Sequence, residues 1–325
     1  MSHPLRQALW PLGLAWGVVA GLRNWLFDAG LRKVHRLPVP VVSVGNLTAG
    51  GTGKTPTVAW LCALANAHGK RPGVLARGYG RAVGAARNDE GELLQRRLPW
   101  LLQEQDPDRV AAGQRLAAAG ADYIVLDDGF QHRRLHRDLD IVCVDATLPF
   151  GNGLCLPAGD LREYRSGLRR AGMVLLTRAA SLAPEQLAAR VVRLRELAGK
   201  PLPIFACEHR PTGFVAQPRG EVLPLDLMHD RPCVLLSGIA RPQSFRATME
   251  QLGARIAGEF CHRDHHRFSA AELLAAARAA DAAQALLVVT EKDDARMPAD
   301  APPRLVLRVD LAFLDGEPKP GEVLL

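Results

Sequence analysis

Lysine is scarce in this chain of 325 residues: Lys33, Lys54, Lys70, Lys200, Lys292 and Lys319 are the six there are, in a total of 41 basic residues against 34 acidic ones. The net charge of +7 is therefore carried by arginine, whose planar guanidinium grips phosphate and carboxylate in bidentate fashion. An anionic partner and a plain compositional bias toward Arg and Ala both explain the excess, because net charge alone reports on solubility and non-specific attraction. The six cysteines (Cys62, Cys143, Cys155, Cys207, Cys233, Cys261) include no Cys-x-x-Cys pair. That argues against a disulfide framework and a thiolate zinc site and makes a reducing compartment the default. The apolar run 8–21, ALWPLGLAWGVVAG, stops at fourteen residues, short of the roughly 20 that a membrane-spanning helix needs. What remains is ordinary globular chemistry, 48% hydrophobic and 23% charged, in a length that suits two cores.

The short run has a distinct character. Arg6, Arg23, Arg32, Lys33 and Arg36 flank it, and Trp10, Trp16, Trp25, Leu26 and Phe27 supply bulky apolar groups of the kind that settle at a lipid–water boundary. Residues 4–36 therefore read as one or two helices lying on an anionic membrane face. Two rivals stand beside this: a secretory signal, which lacks a clean small-x-small cleavage site, and a helix packed on the protein's own core.

From residue 37 the punctuation is that of an α/β protein. VPVVSVGN (39–46) is a β-branched run that delivers the chain into LTAGGTGKTPTV (47–58), after which residues 55–69 carry apolar side chains at helical spacing and end at Gly69. Strands are expected at 73–77, 122–126, 140–144 and 173–177, with a helix near 108–119. A Pro-rich interruption follows at 199–213, then a second series of strands at 233–237, 285–290 and 304–309 with helices at 242–252 and 269–280. Strands alternating with helices imply a parallel sheet. The expected organisation is a P-loop NTPase-like domain over 37–210, an N-terminal interfacial segment over 1–36, and a smaller α/β domain over 211–325 that closes the active-site cleft.

The glycine loop departs from the usual Gly-x-x-x-x-Gly-Lys-Thr pattern, because Thr48 stands where the first glycine belongs. The strand–loop–helix setting still predicts a nucleotide site. Gly50, Gly51 and Gly53 would cradle phosphates at a helix N-terminus, Lys54 would reach the β/γ oxygens, and Thr55 would ligate Mg2+. Ala49 occupies the place of the signature lysine of partitioning-type ATPases, which argues against that class. The apolar strand ending in Asp127-Asp128 is where a P-loop enzyme holds magnesium, and either aspartate suits. Gln131, His132, Arg133 and Arg134 add polar and cationic groups nearby, with a solvated basic turn as the alternative. CHRDHHRF (261–268) admits a metal reading, but no second ligand cluster completes a tetrahedral site.

The ordered series SVGNLTAGGTGKTP (43–56), ARGYGR (76–81), DDGFQHRRLHRDLDI (127–141), LPAGDLRE (156–163), SGIARPQSF (237–245), DHHRF (264–268) and TEKDD (290–294) resembles the motifs of the tetraacyldisaccharide 4'-kinase family of lipid A synthesis, from about residue 5 to 315. The resemblance implies transfer of the ATP γ-phosphate to the 4'-hydroxyl of an acylated glucosamine disaccharide 1-phosphate, giving lipid IVA. It also implies a peripheral enzyme at the cytoplasmic face of the bacterial inner membrane, with ATP and Mg2+ as cofactors and no nucleic-acid partner. No protein partner is inferable.

The resemblance carries over residue by residue: Thr48, Ala49, Gly50, Gly51, Thr52, Gly53, Lys54 and Thr55 match the family's ATP site, so that the missing first glycine is a family trait. Lys54, Asp128, Asp89 and His265 take catalytic places, with Asp89 in NDEGELL (88–94) matching a Gly-Asp-Glu-Pro stretch in which Asn88 replaces the glycine and the proline is missing. Thr55, Asp127 and Glu163 take the metal, and Asn46, Gln131, His132 and Arg162 the substrate. Asp89 and His265 are expected to meet across a cleft between the two domains. In LPAGDLREY (156–164), Arg162 and Glu163 are kept, while Asp160 and Tyr164 stand where the family commonly has proline in at least one place. Two other function classes remain: a P-loop ATPase or GTPase acting as a switch or metallochaperone, and a basic membrane- or DNA-associated module with a vestigial loop.

Overall fold

The computed structural model describes residues 6, 8–81 and 84–325. In chain order its elements are α1 (Trp10–Asp28), β1 (Val41–Gly45), α2 (Lys54–Ala67), β2 (Pro72–Ala76), α3 (Asp89–Arg97), β3 (Leu102–Gln105), α4 (Arg109–Ala118), β4 (Tyr123–Asp127) and β5 (Leu139–Asp145). Then come β6 (Met173–Thr177), α5 (Pro184–Ala198), β7 (Ile204–Gln217), β8 (Glu221–Leu223), β9 (Pro232–Ser237), α6 (Pro242–Gln251), β10 (Arg255–Cys261), α7 (Ala270–Ala282), β11 (Leu286–Thr290), α8 (Glu291–Asp294), β12 (Arg304–Phe313) and α9 (Pro320–Val323).

The chain divides into two compact units: residues 1–79, 98–209 and 311–325 form the first, and 80–97 with 210–310 form the second. One of the cuts between the units falls between residues 209 and 210. The expected ranges do not match the units, because residues 80–97 belong to the second unit and residues 311–325 return to the first. Helix α3 joins the second unit through charge: Arg96 Nη1 lies 2.6 Å from Asp294 Oδ2, Arg97 lies 3.5 Å from Glu291 and also pairs with Asp310, and Arg97 Nη1 donates to the Val309 carbonyl at 2.9 Å. Such long-range pairs carry no local sequence signal.

In the first unit the strand order is β7–β6–β5–β1–β4–β2–β3, and its paired strands are parallel. β1, β4 and β6 are buried at every residue, which is why they read as continuous β-branched and aliphatic runs. The chain leaves β1 toward β2 and leaves β5 toward β6, in opposite directions across the sheet. The topological switch point therefore lies between β1 and β5, and the crevice beyond their carboxyl ends is where such a sheet binds its ligand.

The second unit has the order β10–β9–β11–β12, again parallel where paired. Side chains alternate along β9: Val234 and Leu236 join Leu273 and Ala276 of α7, while Cys233 and Leu235 join Phe245 and Met249 of α6. Of the Pro-rich stretch 199–213, expected to interrupt the alternation of strands and helices, residues 204–213 are part of β7. Pro203 precedes that strand, and Pro211 falls between the residues paired to β6 and those paired to β8, so no ladder hydrogen bond is asked of it in those two pairings.

Helix α1 belongs to the first unit and settles part of the question raised by its sequence. Gly13, Gly17, Ala20, Asn24 and Phe27 form a narrow buried stripe, and a side chain at Gly17 would collide with the Tyr164 ring. The remaining face is apolar and bare: Trp10, Leu12, Trp16, Val19, Leu22 and Trp25 are each between 50% and 64% exposed. The helix both packs on its own protein and presents an uncovered apolar surface. No helix among the described residues is long and apolar enough to cross a membrane.

Candidate active site

The glycine loop is shaped by side chains on both sides of it. Asn46, fully buried, donates to Thr52 Oγ1 at 2.9 Å. Thr177 Oγ1, at the end of β6, donates to the Thr52 carbonyl at 3.1 Å, and Arg178 Nη2 donates to the Gly51 carbonyl at 3.0 Å while its other terminal nitrogen pairs with Asp145 at the end of β5. Gly53 has φ +89°, and a Cβ there would lie 2.6 Å from His209 Nε2, so both backbone and space demand glycine. Thr48, the anomalous position, forms an antiparallel bridge with Leu161. An extended backbone in a bridge needs no glycine, so the missing first residue of the pattern costs the loop nothing. Helix α2 starts at Lys54 immediately afterwards and aims its amide groups at the loop.

Asp127 ends β4 and is 6% exposed. Asp128 follows with φ +51°, a left-handed conformation that aspartate tolerates better than most residues but that still costs on the order of 1 kcal/mol. Its carboxylate lies 3.6 Å from Lys54 Nζ and 2.6 Å from Arg162 Nη1. Burial pushes the Asp128 carboxyl up, but Lys54, Arg162 and the buried Arg109 together outweigh it and hold it below the usual carboxylate range. His132 is pushed down to about 4, first by burial and then by Arg109, Arg134 and Arg137, so it is a neutral imidazole near neutral pH.

Glu163 does not stand as a free metal ligand. It is 2% exposed and accepts from Asn24 Nδ2 at 2.6 Å, Gln131 Nε2 at 2.9 Å and Arg170 Nη2 at 2.8 and 2.9 Å. Both oxygens are spent on three donors, as a buried carboxylate requires, and a cation could take one only by displacing a donor. Gln131 also donates to the Asn46 carbonyl at 2.9 Å. Asn46 and Gln131 are thus engaged with the protein through their amide nitrogens, while Asn46 Oδ1, Gln131 Oε1 and His132 Nε2 are buried with no hydrogen-bond partner among the described residues, and Arg162 is held through Nη1 by Asp128. The departures at 160 and 164 have local partners: Asp160 pairs with Arg6 at 2.9 Å, and Tyr164 Oη donates to the Leu14 carbonyl at 3.3 Å.

Asp89 and His265 do come together, but inside the second unit rather than across a cleft between units. His265 Nδ1 lies 3.4 Å from Asp89 Oδ2. Asp89 opens α3, where Asn88 Oδ1 accepts from the Gly91 amide at 3.0 Å, so asparagine in place of the family's glycine is a helix cap. Arg296 Nε stands 3.0 Å from the same Asp89 oxygen, with the guanidinium 1% exposed and Nη1 donating to the Gly238 carbonyl at 2.9 Å. His265 has φ +61°, the second expected catalytic residue held in a left-handed conformation. The neighbouring His262, His266 and Glu272 bring ligand atoms within 4.8 Å of one another. However, Glu272 already accepts from His266 at 3.0 Å and from the Ser269 amide and hydroxyl at 2.7 and 2.8 Å, and the two imidazoles lie stacked at 4.3 Å. Parallel rings direct their in-plane lone pairs side by side rather than toward a common ion, so this cluster is a closed brace.

Sequence reasoning missed Asn24, Arg109, Asp145, Arg170, Thr177, Arg178, His209 and Arg296. Asp145, Thr177 and Arg178 sit at or just beyond the carboxyl end of a strand and Arg296 on the turn that follows the short helix after β11, while His209 lies within β7, past the residues paired to β6. The carboxyl end of a strand in a doubly wound sheet is the one available signal.

A phosphate-cradling loop at the switch point of a parallel sheet, with a lysine at the helix start and paired aspartates ending the adjacent strand, defines a P-loop phosphotransferase. A family model described as tetraacyldisaccharide-1-P 4'-kinase matches residues 5–325. The tetraacyldisaccharide 4'-kinase of Anaeromyxobacter sp. (strain K) is 44% identical over 319 residues, covering 91% of this chain and 84% of that one. That of Shewanella pealeana is 36% identical over 305 residues, covering 90% and 84%. The crystal structure of LpxK from Aquifex aeolicus in complex with ATP superposes with a TM-score of 0.75 at 27% identity, covering 96% of each chain. The chain belongs to the tetraacyldisaccharide 4'-kinase family, and it is an ATP-dependent kinase.

Proposed function

We propose that this enzyme transfers the γ-phosphate of ATP to the 4'-hydroxyl of an acylated glucosamine disaccharide 1-phosphate, forming lipid IVA, while lying on the cytoplasmic face of the inner membrane. The observation that carries the reading is the loop: its conformation is over-determined by Asn46, Thr177, Arg178 and His209, and it ends in a lysine 3.6 Å from Asp128. Such a loop binds polyphosphate through backbone amides, and the Lys54 charge offsets the charge that builds on the transferring group.

Magnesium fits the oxygens present. The Thr55 hydroxyl and the Asp127 carboxylate are hard donors suited to a small divalent cation and would hold it, and Mg2+ would offset the negative charge of the nucleotide's polyphosphate. Asp128 keeps Lys54 and Arg162 oriented. Asp89 orients and receives the proton of the acceptor hydroxyl, and His265 holds that carboxylate; in phosphoryl transfer the proton leaves late, so orientation outweighs basicity. The uncovered face of α1, with three tryptophans and basic flanks, suits the interface of an anionic bilayer.

The test is acceptor dependence. ADP release by purified protein should require the acylated disaccharide 1-phosphate and yield a bisphosphorylated lipid. ADP release at full rate without acceptor would instead indicate a switch ATPase, and absence of ATP binding a module with a vestigial loop.

A further inference from the structure

We propose that an arginine-lined cavity beside the C-terminal end of α1 seats the phosphate that the acceptor lipid already carries. The inference rests on the kinase reading above and adds a second contact for the same substrate. The cavity has a volume of about 240 Å³ and is lined by Val34, Arg133, His136, Arg137, Asp140 and Arg170.

Three observations support it. The first is charge. Arg133, Arg137 and Arg170 line the cavity and Arg23 and Arg32 stand close behind them, while the carboxylates among them are Asp28 on Arg133, Asp140 on Arg137 and Glu163, which pairs with Arg170 and also faces Arg23. Five guanidiniums against three carboxylates leave an excess of two positive charges, which matches a phosphomonoester near neutral pH. The crowding is visible in Arg23, whose pKa is lowered by burial first, against the opposing pull of Glu163, and by Arg170, Arg133 and Arg32 in addition. The second is unmet hydrogen bonding. Nε of Arg23 and Nε of Arg170 are buried with no acceptor among the described residues, and buried guanidinium donors without acceptors indicate a cluster short of one anion.

The third observation is position. Arg170 shares Glu163 with Gln131, and Gln131 also bonds the Asn46 carbonyl, so a single carboxylate links the cavity wall to the residue that leads into the glycine loop. An acceptor with a phosphate on one sugar and the reacting hydroxyl on the other needs two anchor points of this kind. The exposed Leu22, Trp25 and Leu31 at the same end of α1 offer apolar surface to acyl chains, which a free phosphate would not use.

The experiment compares Arg23→Met with wild type on two acceptors in detergent micelles, the disaccharide 1-phosphate and its 1-dephospho analogue. Arg23 is suitable because, among the described residues, its guanidinium makes a single long hydrogen bond, 3.5 Å to Asn24 Oδ1, while Glu163 keeps its bonds to Asn24, Gln131 and Arg170, so its removal leaves α1 fastened. The expected result is a KM for the phosphorylated acceptor raised about tenfold, the scale of one charge-assisted contact, with kcat and the KM for ATP unchanged. On the dephospho acceptor, variant and wild type should be alike, both at the raised KM, and Arg23→Lys should recover most of the loss. Equal losses on both acceptors, or an unchanged KM on the phosphorylated one, overturn the proposal. A loss confined to binding of phosphatidylglycerol vesicles would assign the cavity to bulk lipid headgroups and overturn it as well. If wild type phosphorylates neither acceptor, the kinase reading itself falls and takes this proposal with it.

Discussion

Asn24, on the inward stripe of helix α1, donates a 2.6 Å hydrogen bond to Oε2 of Glu163, a carboxylate that is 2% exposed. The N-terminal helix is therefore wired into the polar centre of the first unit, and three further bonds repeat the connection: Trp16 Nε1 to the Arg162 carbonyl at 2.9 Å, Arg133 Nη1 to the Asn24 carbonyl at 2.9 Å, and Arg133 Nη2 to Asp28 at 2.7 Å. Deleting residues 1–30 would strip a donor from a buried anion as well as remove an apolar surface, so it cannot separate anchoring from folding.

Asn24→Leu isolates the first effect. It leaves Glu163 one donor short, and the protein should lose about 1–3 kcal/mol of stability, read as a lowered melting temperature. An unchanged melting temperature would mean that Arg170 and Gln131 satisfy Glu163 by themselves.

The outward face is tested by polar substitutions that touch no buried partner. Val19→Gln with Leu22→Gln should preserve the melting temperature and weaken sedimentation with anionic vesicles, because both side chains are more than half exposed and each buried methylene contributes about 0.8 kcal/mol to lipid attachment. Undiminished sedimentation would place the contact elsewhere on the molecule.

Lys54→Ala should lower kcat by about 100-fold or more, since it removes the charge aimed at the transferring phosphate, while the fold persists because the side chain's ion pair with Asp128 is long at 3.6 Å. Arg162 remains on Asp128 at 2.6 Å and keeps that carboxylate compensated. Near-normal turnover in a folded variant would remove the loop from the mechanism.

Asp89 and His265 lie 3.4 Å apart and should behave as one unit. Asp89→Ala, His265→Ala and the double variant are expected to lose similar amounts of kcat with little change in ATP affinity, the signature of coupled groups. Losses that multiply across the two sites would show independent roles. Arg296, 3.0 Å from Asp89, remains as a cation partner in the His265 variant, so that variant should stay folded.

His209 gives a pH prediction. Its pKa is pushed down to about 4 by burial first and by Arg178 next, against the smaller opposing pull of Asp145 and Glu208. A histidine buried neutral contributes stability that is complete above its unfolded value near 6.5 and is lost as pH falls from there toward 4. The loss is on the order of 3 kcal/mol by pH 4. His209→Gln should flatten this part of the stability curve measured by denaturant titration; a variant as acid-sensitive as wild type would show that His132, also pushed down to about 4, dominates.

The strand–loop–helix of residues 41–67, the aspartates at 127 and 128, and most of the βα alternation were legible in the sequence because each is a local pattern. A buried parallel strand must be apolar along its length, a phosphate cradle needs glycine where φ is positive, and a helix start needs its cap. The ordered motifs likewise identified the family without coordinates. Tertiary structure decided what depends on residues far apart in the chain. Arg178, Thr177 and His209 reach the loop from neighbouring strands, Glu163 spends its oxygens on Asn24, Gln131 and Arg170, and Asp89 joins His265 because salt bridges carry residues 80–97 into the second unit. Helix α1 shows the division most plainly. Its composition foretold an apolar helix, but which residues turn inward depends on a surface built by residues 155–164, and a sequence window of one helix contains no record of that surface.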